Sequence, residues 1–425
     1  MRSHGFAQLP PLNRAGWRRL PAVCMAVGGV LAAGGAAADL KEFAHGWLLG
    51  FMFWLSVSLG ALFLVMAHHL FDAGWSVSIR RLCEHLASLL FPWLGLLWLP
   101  IGLLAAKLYP WMSAAPQADP ILRARSPGFN VPMFYVVSAL CFAAWWAVSN
   151  RLRYWSLRQD QTGEVRCTRR MRFFSCVGIF SYAVTLTLAA VLWLMAMQHQ
   201  WVSAVYGVYY FAGSVWTTLA TVYVIAAVLR RQPALKPVLR DRQFYFLGLL
   251  LFAFTMLYAY IHFSQYFIIW NANVPQETFW YVMREQGGWF WVGLVLIIGH
   301  FLVPFLALLR REVKHLLPWM IPLCVWAWVM HLVDLGFNIY PPIHPGGPPL
   351  RWLWIALGSW AFMGGLLARV FLRQYAASAP YPVRDPRLIE AMAFDHSARG
   401  SRSGGEPEQA SGLPDGSLQP EGGGQ

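Results

Sequence analysis

Apolar runs long enough to cross a bilayer recur along this chain, separated by short segments that hold almost all of its charge. About 20 consecutive apolar residues cover a hydrocarbon core of roughly 30 Å. By that measure the pattern predicts ten helices, near 20–38, 44–70, 87–109, 131–150, 173–197, 204–229, 244–270, 287–309, 315–338 and 352–375. The fold class is therefore all-α: a polytopic membrane bundle of about ten spans over residues 20–375. The first run is rich in Ala and Gly and follows Arg14, Arg18 and Arg19, which is also the form of a cleaved signal peptide.

The polar segments assign the sides. Of the 33 Lys and Arg, 27 fall before the first span, in 71–86, 151–172, 230–243 and 310–314, or after 368. Lys41, Lys107, Arg123, Arg125, Arg284 and Arg351 fall in or beside the alternate segments. Positive residues accumulate on the cytoplasmic side, so both termini are expected there. Residues 1–19 then form a cytoplasmic N-terminal segment and 376–397 a cytoplasmic C-terminal one. Residues 398–425, rich in Gly, Ser, Pro and Glu, have little to bury and read as a disordered tail. The stretch 76–90 spaces its apolar residues helically around Arg80, Arg81, Glu84 and His85, as an interfacial helix would.

Composition agrees with the pattern and narrows the chemistry. Hydrophobic residues make up 58% of the 425 and charged ones 12%, far from the roughly 25% charged of soluble domains. Many of the 23 Trp lie near the ends of the apolar runs, where amphipathic rings favour the headgroup layer. A net charge of +14 would suggest nucleic acid in a soluble protein. Here the charge follows the spans, so membrane lipid is the expected partner and nucleic acid is not. The six Cys are scattered and form no CxxC, CxxCH or ferredoxin-type run, so no haem or iron–sulfur cofactor is expected.

Ionisable groups within spans mark candidate functional sites. With the sides assigned, two clusters form. His68, His69 and Asp72 end the second span near Glu84 and His85, an inner cluster. His262, Gln265 and Glu277 follow one another along the seventh span and its outer turn, while His331 and Asp334 share a face of the ninth at i and i+3. These five form an expected outer network, with His262 and His300 nearer mid-membrane. Histidine titrates near neutrality and carboxylates pair with it, so both clusters are proton-relay candidates. Plainer readings stand beside this one. The inner residues fit the headgroup layer, and His262, His300, His331 and Asp334 fit bonds between helices. Ser264 and Gln265 fit interhelical contacts, as do the small-residue strips Ser56–Gly60–Ala61 and Gly364–Gly365. Pro304, Pro318 and Pro322 are expected kinks or helix starts. No catalytic or metal motif appears.

Several blocks carry a family resemblance. They are 51–87, SLRQDQTGEV (156–165), HQWVSAVYGVYYFAGSV (199–215), 247–278 ending FSQYFIIWNANVPQET, GHFLVPFLALLRREVK (299–314) and DPRLIEA (385–391). Across residues 44–391 the chain resembles the second large polytopic subunit of alternative complex III, a bacterial quinol:cytochrome c oxidoreductase. That subunit is related to the polysulfide-reductase membrane subunits. The resemblance implies a cofactor-free subunit of the bacterial inner membrane. Its implied partners are a quinol-binding sister polytopic subunit and the iron–sulfur and c-haem subunits, with a proposed proton path. Where the family carries acidic positions this chain has Leu192 and Gln198. Where the family carries an Asp and a Lys it has Phe246 and Leu249.

Two other functions compete. A secondary transporter or proton channel acting alone would use the two polar clusters, but no paired repeat of the kind common in transporters is visible. A lipid-modifying enzyme finds no support, because HExxH and GxSxG are both missing from the sequence.

Overall fold

The computed structural model describes residues 19–113, 120–125, 128–233 and 235–388. The expected disordered tail, residues 1–18 and residues 389–397 lie outside these. Among the described residues the chain is helical with no strand. Ten helices are long and apolar enough to cross a membrane: α1 (Arg19–Ala38), α2 (Leu40–Leu70), α3 (Gly74–Leu103), α4 (Val131–Thr162) and α5 (Val165–Gln198), then α6 (Tyr206–Leu229), α7 (Asp241–Ala272), α8 (Gly287–Leu309), α9 (Leu317–Ile339) and α10 (Leu350–Ala376). A short helix, Pro275–Arg284, joins α7 to α8; the side it stands on, away from most of the basic residues, is called outer and the basic face inner.

The bundle is organised around α2 and α6. In each, 83% of the most apolar stretch is buried, against 17% in α1, so these two form the axis. Small residues bring them together. A Cβ at Gly60 would stand 2.3 Å from Thr218 Oγ1 and 2.5 Å from the Ser214 carbonyl. Thr218 Oγ1 instead donates to the Val57 carbonyl at 2.8 Å. Helix α1 lies antiparallel to α10 by the same device. A Cβ at Gly28 would be 2.3 Å from Phe362 N, and one at Gly365 would be 2.5 Å from Met25 N. This pairing places Arg19 and Ala376 on one face, the face that carries most of the basic residues.

Two elements depart from the sequence reading. Helices α4 and α5 run well past their apolar stretches and meet in a tight turn, Thr162 to Val165, where Gly163 takes φ +71°. Hydropathy ends where the charges begin. Helix propensity does not, because Arg, Leu and Gln are good helix formers. The second departure is 77–87. It is an α-helix as expected, but all eleven of its residues are buried, so it is not interfacial. It docks on α2, under the α4–α5 hairpin and the segment after α10.

Helix α8 widens into a π turn over Leu296–Leu302. Pro304 gives the reason. It cannot donate to the carbonyl of residue 300, and its ring crowds that carbonyl. The wider turn relieves the clash and sets His300 into the bundle, in a kind of irregularity often found at functional sites.

Candidate functional site

Toward the outer side of the bundle, α2, α6, α7, α8 and α9 converge on one buried polar chamber. Asp334 and His331, one turn apart on α9, are buried in it. Ile339 ends this helix, so at 1.5 Å per residue Asp334 lies about 8 Å and His331 about 12 Å in from that end. Asp334 Oδ1 accepts hydrogen bonds from the hydroxyls of Tyr209 on α6 and Tyr258 on α7, the latter at 2.8 Å. Asn338, the next turn out, donates to the Tyr209 oxygen at 3.0 Å and accepts from Tyr206 at 2.9 Å. His331 Nε2 lies 2.9 Å from Ser56 Oγ on α2, while its Nδ1 is buried without a hydrogen bond.

His300 completes the chamber. Its ring is stacked between Trp216 and Tyr258, with centroids 4.0 and 3.8 Å away. Neither ring nitrogen has a hydrogen-bond partner, and the residue is fully buried. A neutral imidazole leaves its polar atoms unsatisfied here, at a cost. An imidazolium would instead face two aromatic π surfaces, which attract cations, and a carboxylate close by. Polar atoms of His300, His331 and Asp334 all lie within 4.8 Å of one another. Two imidazoles and a carboxylate are also a donor set for a divalent transition metal. Such an ion would have to share Asp334 with two tyrosines and His331 with Ser56, so two of the three donors are already engaged.

The mouth of the chamber is closed by Arg284, at the end of the outer helix. Its guanidinium lies 3.4 Å over the Trp280 ring. It donates to the Phe337 and Asn338 carbonyls at 2.9 and 3.2 Å. These carbonyls belong to the C-terminal turn of α9, whose dipole favours a cation. Burial pushes the guanidinium down to about 9 against the opposing pull of Tyr206, Tyr281 and Tyr209, so it remains charged at neutral pH. It has no carboxylate partner among the described residues. Gln198 Oε1 accepts from its Nη1 at 3.4 Å.

The expected outer network is thus partly assembled. His331 and Asp334 are at its heart. His262 flanks it, its ring 5.7 Å from those of both Tyr209 and Tyr258. Gln265 belongs to the mouth, accepting from Ser203 at 2.8 Å and donating to Tyr281 at 3.0 Å. Glu277 does not join. It stands in the first turn of the outer helix, partly exposed, and its carboxylate makes no hydrogen bond or ion pair among the described residues. A carboxylate there favours the helix N-terminus. Tyr209, Tyr258, Ser56 and Arg284 were not legible as site residues. Tyrosines within apolar runs read as packing, and only the pairing of helices shows which hydroxyls meet.

The inner cluster is a different kind of arrangement. His68 and His69 are buried within the protein, because the 77–87 helix and the C-terminal segment cover them. His68 Nδ1 lies 2.6 Å from Ser76 Oγ, and Arg80 Nη1 is 3.3 Å from its Nε2. Neither nitrogen of His69 has a hydrogen-bond partner. Asp72 is exposed, takes φ +52°, and pairs with Arg387 at 2.6 Å and Arg172 at 3.1 Å. Beneath it runs a charge-balanced network. Arg80 pairs with Glu84 and Asp385, Arg81 with Glu84 and Asp160, and Arg387 with Asp385. His85 lies 3.2 Å from Ser378 Oγ. This network ties the chain after α10 across the basic face, as a strap.

Burial alone would raise the Asp385 carboxyl, but the hydrogen bonds and positive charges of Arg387 and Arg80 outweigh it and hold the group well below the usual carboxylate range. A folded-state value below the unfolded one adds stability above about pH 4, and that stability is lost as acid protonates the folded group. Hydrogen exchange at Arg387 and Leu388, whose amides are held by Asp385, is expected, after correction for intrinsic rates, to be unchanged from pH 8 to 5. Release of the strap should come only below about pH 3. Release near pH 6 would assign its retention to some other group.

Compared with known proteins, the chain matches no family model and no curated sequence.

Proposed function

We propose that this chain is an inner-membrane subunit of a bacterial quinol-oxidising respiratory complex, a quinol:cytochrome c oxidoreductase. It holds no redox cofactor, packs against a quinol-binding sister subunit, and handles protons in the chamber of His300, His331 and Asp334. One observation carries the proton role: three titratable side chains are buried together within the spans, two of them with ring nitrogens that lack hydrogen bonds. Groups so placed are costly as pure structure. A proton arriving on His300 gains two aromatic faces and a neighbouring carboxylate. His331 and the tyrosine hydroxyls offer the next positions, and Asn338 leads toward the mouth. Membership of the respiratory complex is supported by the sequence blocks that resemble alternative complex III. The long apolar faces of α4, α5, α7 and α8, exposed at Leu140, Phe180, Tyr260, Phe263, Trp291 and Ile297, suit lipid or a sister subunit.

Gentle detergent extraction of the tagged protein from its host, followed by mass spectrometry, is the test. Recovery with a second polytopic subunit, an iron–sulfur protein and multihaem c-type cytochromes is expected. Recovery of the chain alone, stable and free of haem, would overturn the assignment. Proton or solute flux in liposomes containing only this protein would then favour a transporter or channel that uses the same chamber.

A further inference from the structure

Away from the chamber, on the basic face, a groove of about 740 Å³ opens between α1, α3 and α10. Its walls are Met25, Trp93 and Leu366, and its rim carries Arg369 and Arg373. We propose that this groove is a binding site for one anionic phospholipid, with the phosphate on the two arginines and an acyl chain along the apolar wall.

Three features argue for this occupant. The first is charge. Arg369 and Arg373 are exposed and one turn apart on a single face of α10. Among the described residues neither has an acidic partner. Like charges at this spacing repel, so a shared anion relieves them, and guanidinium matches phosphate oxygens in geometry and charge.

The second feature is depth. Leu366 lies three residues from Arg369 and seven from Arg373 on α10, so at 1.5 Å per residue the apolar wall starts about 5–10 Å deeper along the helix than the charged rim. A lipid phosphate on the rim would therefore carry the first part of its acyl chain onto this wall. A soluble anion would use the rim and leave this wall bare. A phospholipid uses both.

The third is the side. The groove opens on the face that gathers most of the Lys and Arg. Basic pockets between spans on that side are suited to anionic headgroups.

The test uses the full-length chain in mild detergent, read by native mass spectrometry and by thermal unfolding. Added phosphatidylglycerol is expected to bind one per chain and to raise the midpoint. Phosphatidylcholine of the same acyl composition, and inorganic phosphate alone, should do neither. The Arg369→Gln/Arg373→Gln variant should bind phosphatidylglycerol about 30-fold more weakly. Leu366→Trp, which fills the apolar wall and keeps both charges, should also expel the lipid. Circular dichroism and gel filtration confirm that each variant is folded. Equal binding of phosphatidylcholine, equal stabilisation by phosphate, or undiminished lipid in the double arginine variant would each overturn the proposal. So would a groove that a terminal segment of the chain fills and no lipid enters.

Discussion

Replacing Asp334 by Asn is expected to lower the proton-coupled turnover of the assembled complex about a hundredfold, the lower range for loss of a positioned acid–base group. The substitution keeps the shape of the site. The amide oxygen can still accept from Tyr209 and Tyr258, as Oδ1 does now. The bundle should therefore hold its stability, and only a site that can gain and lose a proton disappears. Asp334→Leu would be a cruder change, because it strands two buried hydroxyls at roughly 1–3 kcal/mol each. The measurement is protons released per electron after a quinol pulse in proteoliposomes of the complex. Glu277→Gln is the paired control, expected to behave as wild type because Glu277 stands outside the chamber. Wild-type turnover and stoichiometry in the Asp334→Asn protein would remove the proton role while leaving membership of the complex untouched.

The sequence carried the spans well and the site unevenly, for reasons that differ by residue. Ten spans and their alternation follow from hydropathy and from where Arg and Lys sit, both local properties. His331 and Asp334 were visible because charge inside an apolar run is conspicuous and their spacing places them on one helix face. Pro304 was visible as a kink, but not that its missing N–H would widen the turn holding His300. Tyr209 and Tyr258 were hidden in aromatic-rich segments, 125 and 76 residues from the carboxylate they serve. The inner residues misled for another reason. Arg80, Arg81 and Glu84 on an amphipathic stretch look solvated when the covering segment is unknown. Asp385, which meets Arg80, lies 305 residues away. A buried ion network and an interfacial helix have the same local sequence, and only tertiary pairing separates them.

That separation can be measured. Arg80→Met is expected to destabilise the protein by about 3–5 kcal/mol, the usual cost of removing one partner from a buried ion pair. Met preserves much of the apolar stem and its packing, so the loss falls on the charge. Without Arg80, Asp385 keeps only Arg387, Glu84 keeps Arg81 and the Ser156 hydroxyl, and two carboxylates remain in a space that water does not reach. Arg230→Met gives the contrast. Its partner Asp241 is 2.5 Å away, but the two side chains are 24% and 66% exposed, so solvent screens the pair and a loss of less than about 1 kcal/mol is expected. If 77–87 were an interfacial helix, the two variants would melt alike. Coupling should also appear in the pair of Arg80→Met with Asp385→Asn. Neutralising the carboxylate that Arg80 leaves behind should recover part of the lost stability, so the double variant should lose less than the sum of the single losses. Full additivity would mean that Arg80 and Asp385 do not act on each other. In that case the strap across the basic face would be held by packing around Tyr381 and Leu388, and not by its charges.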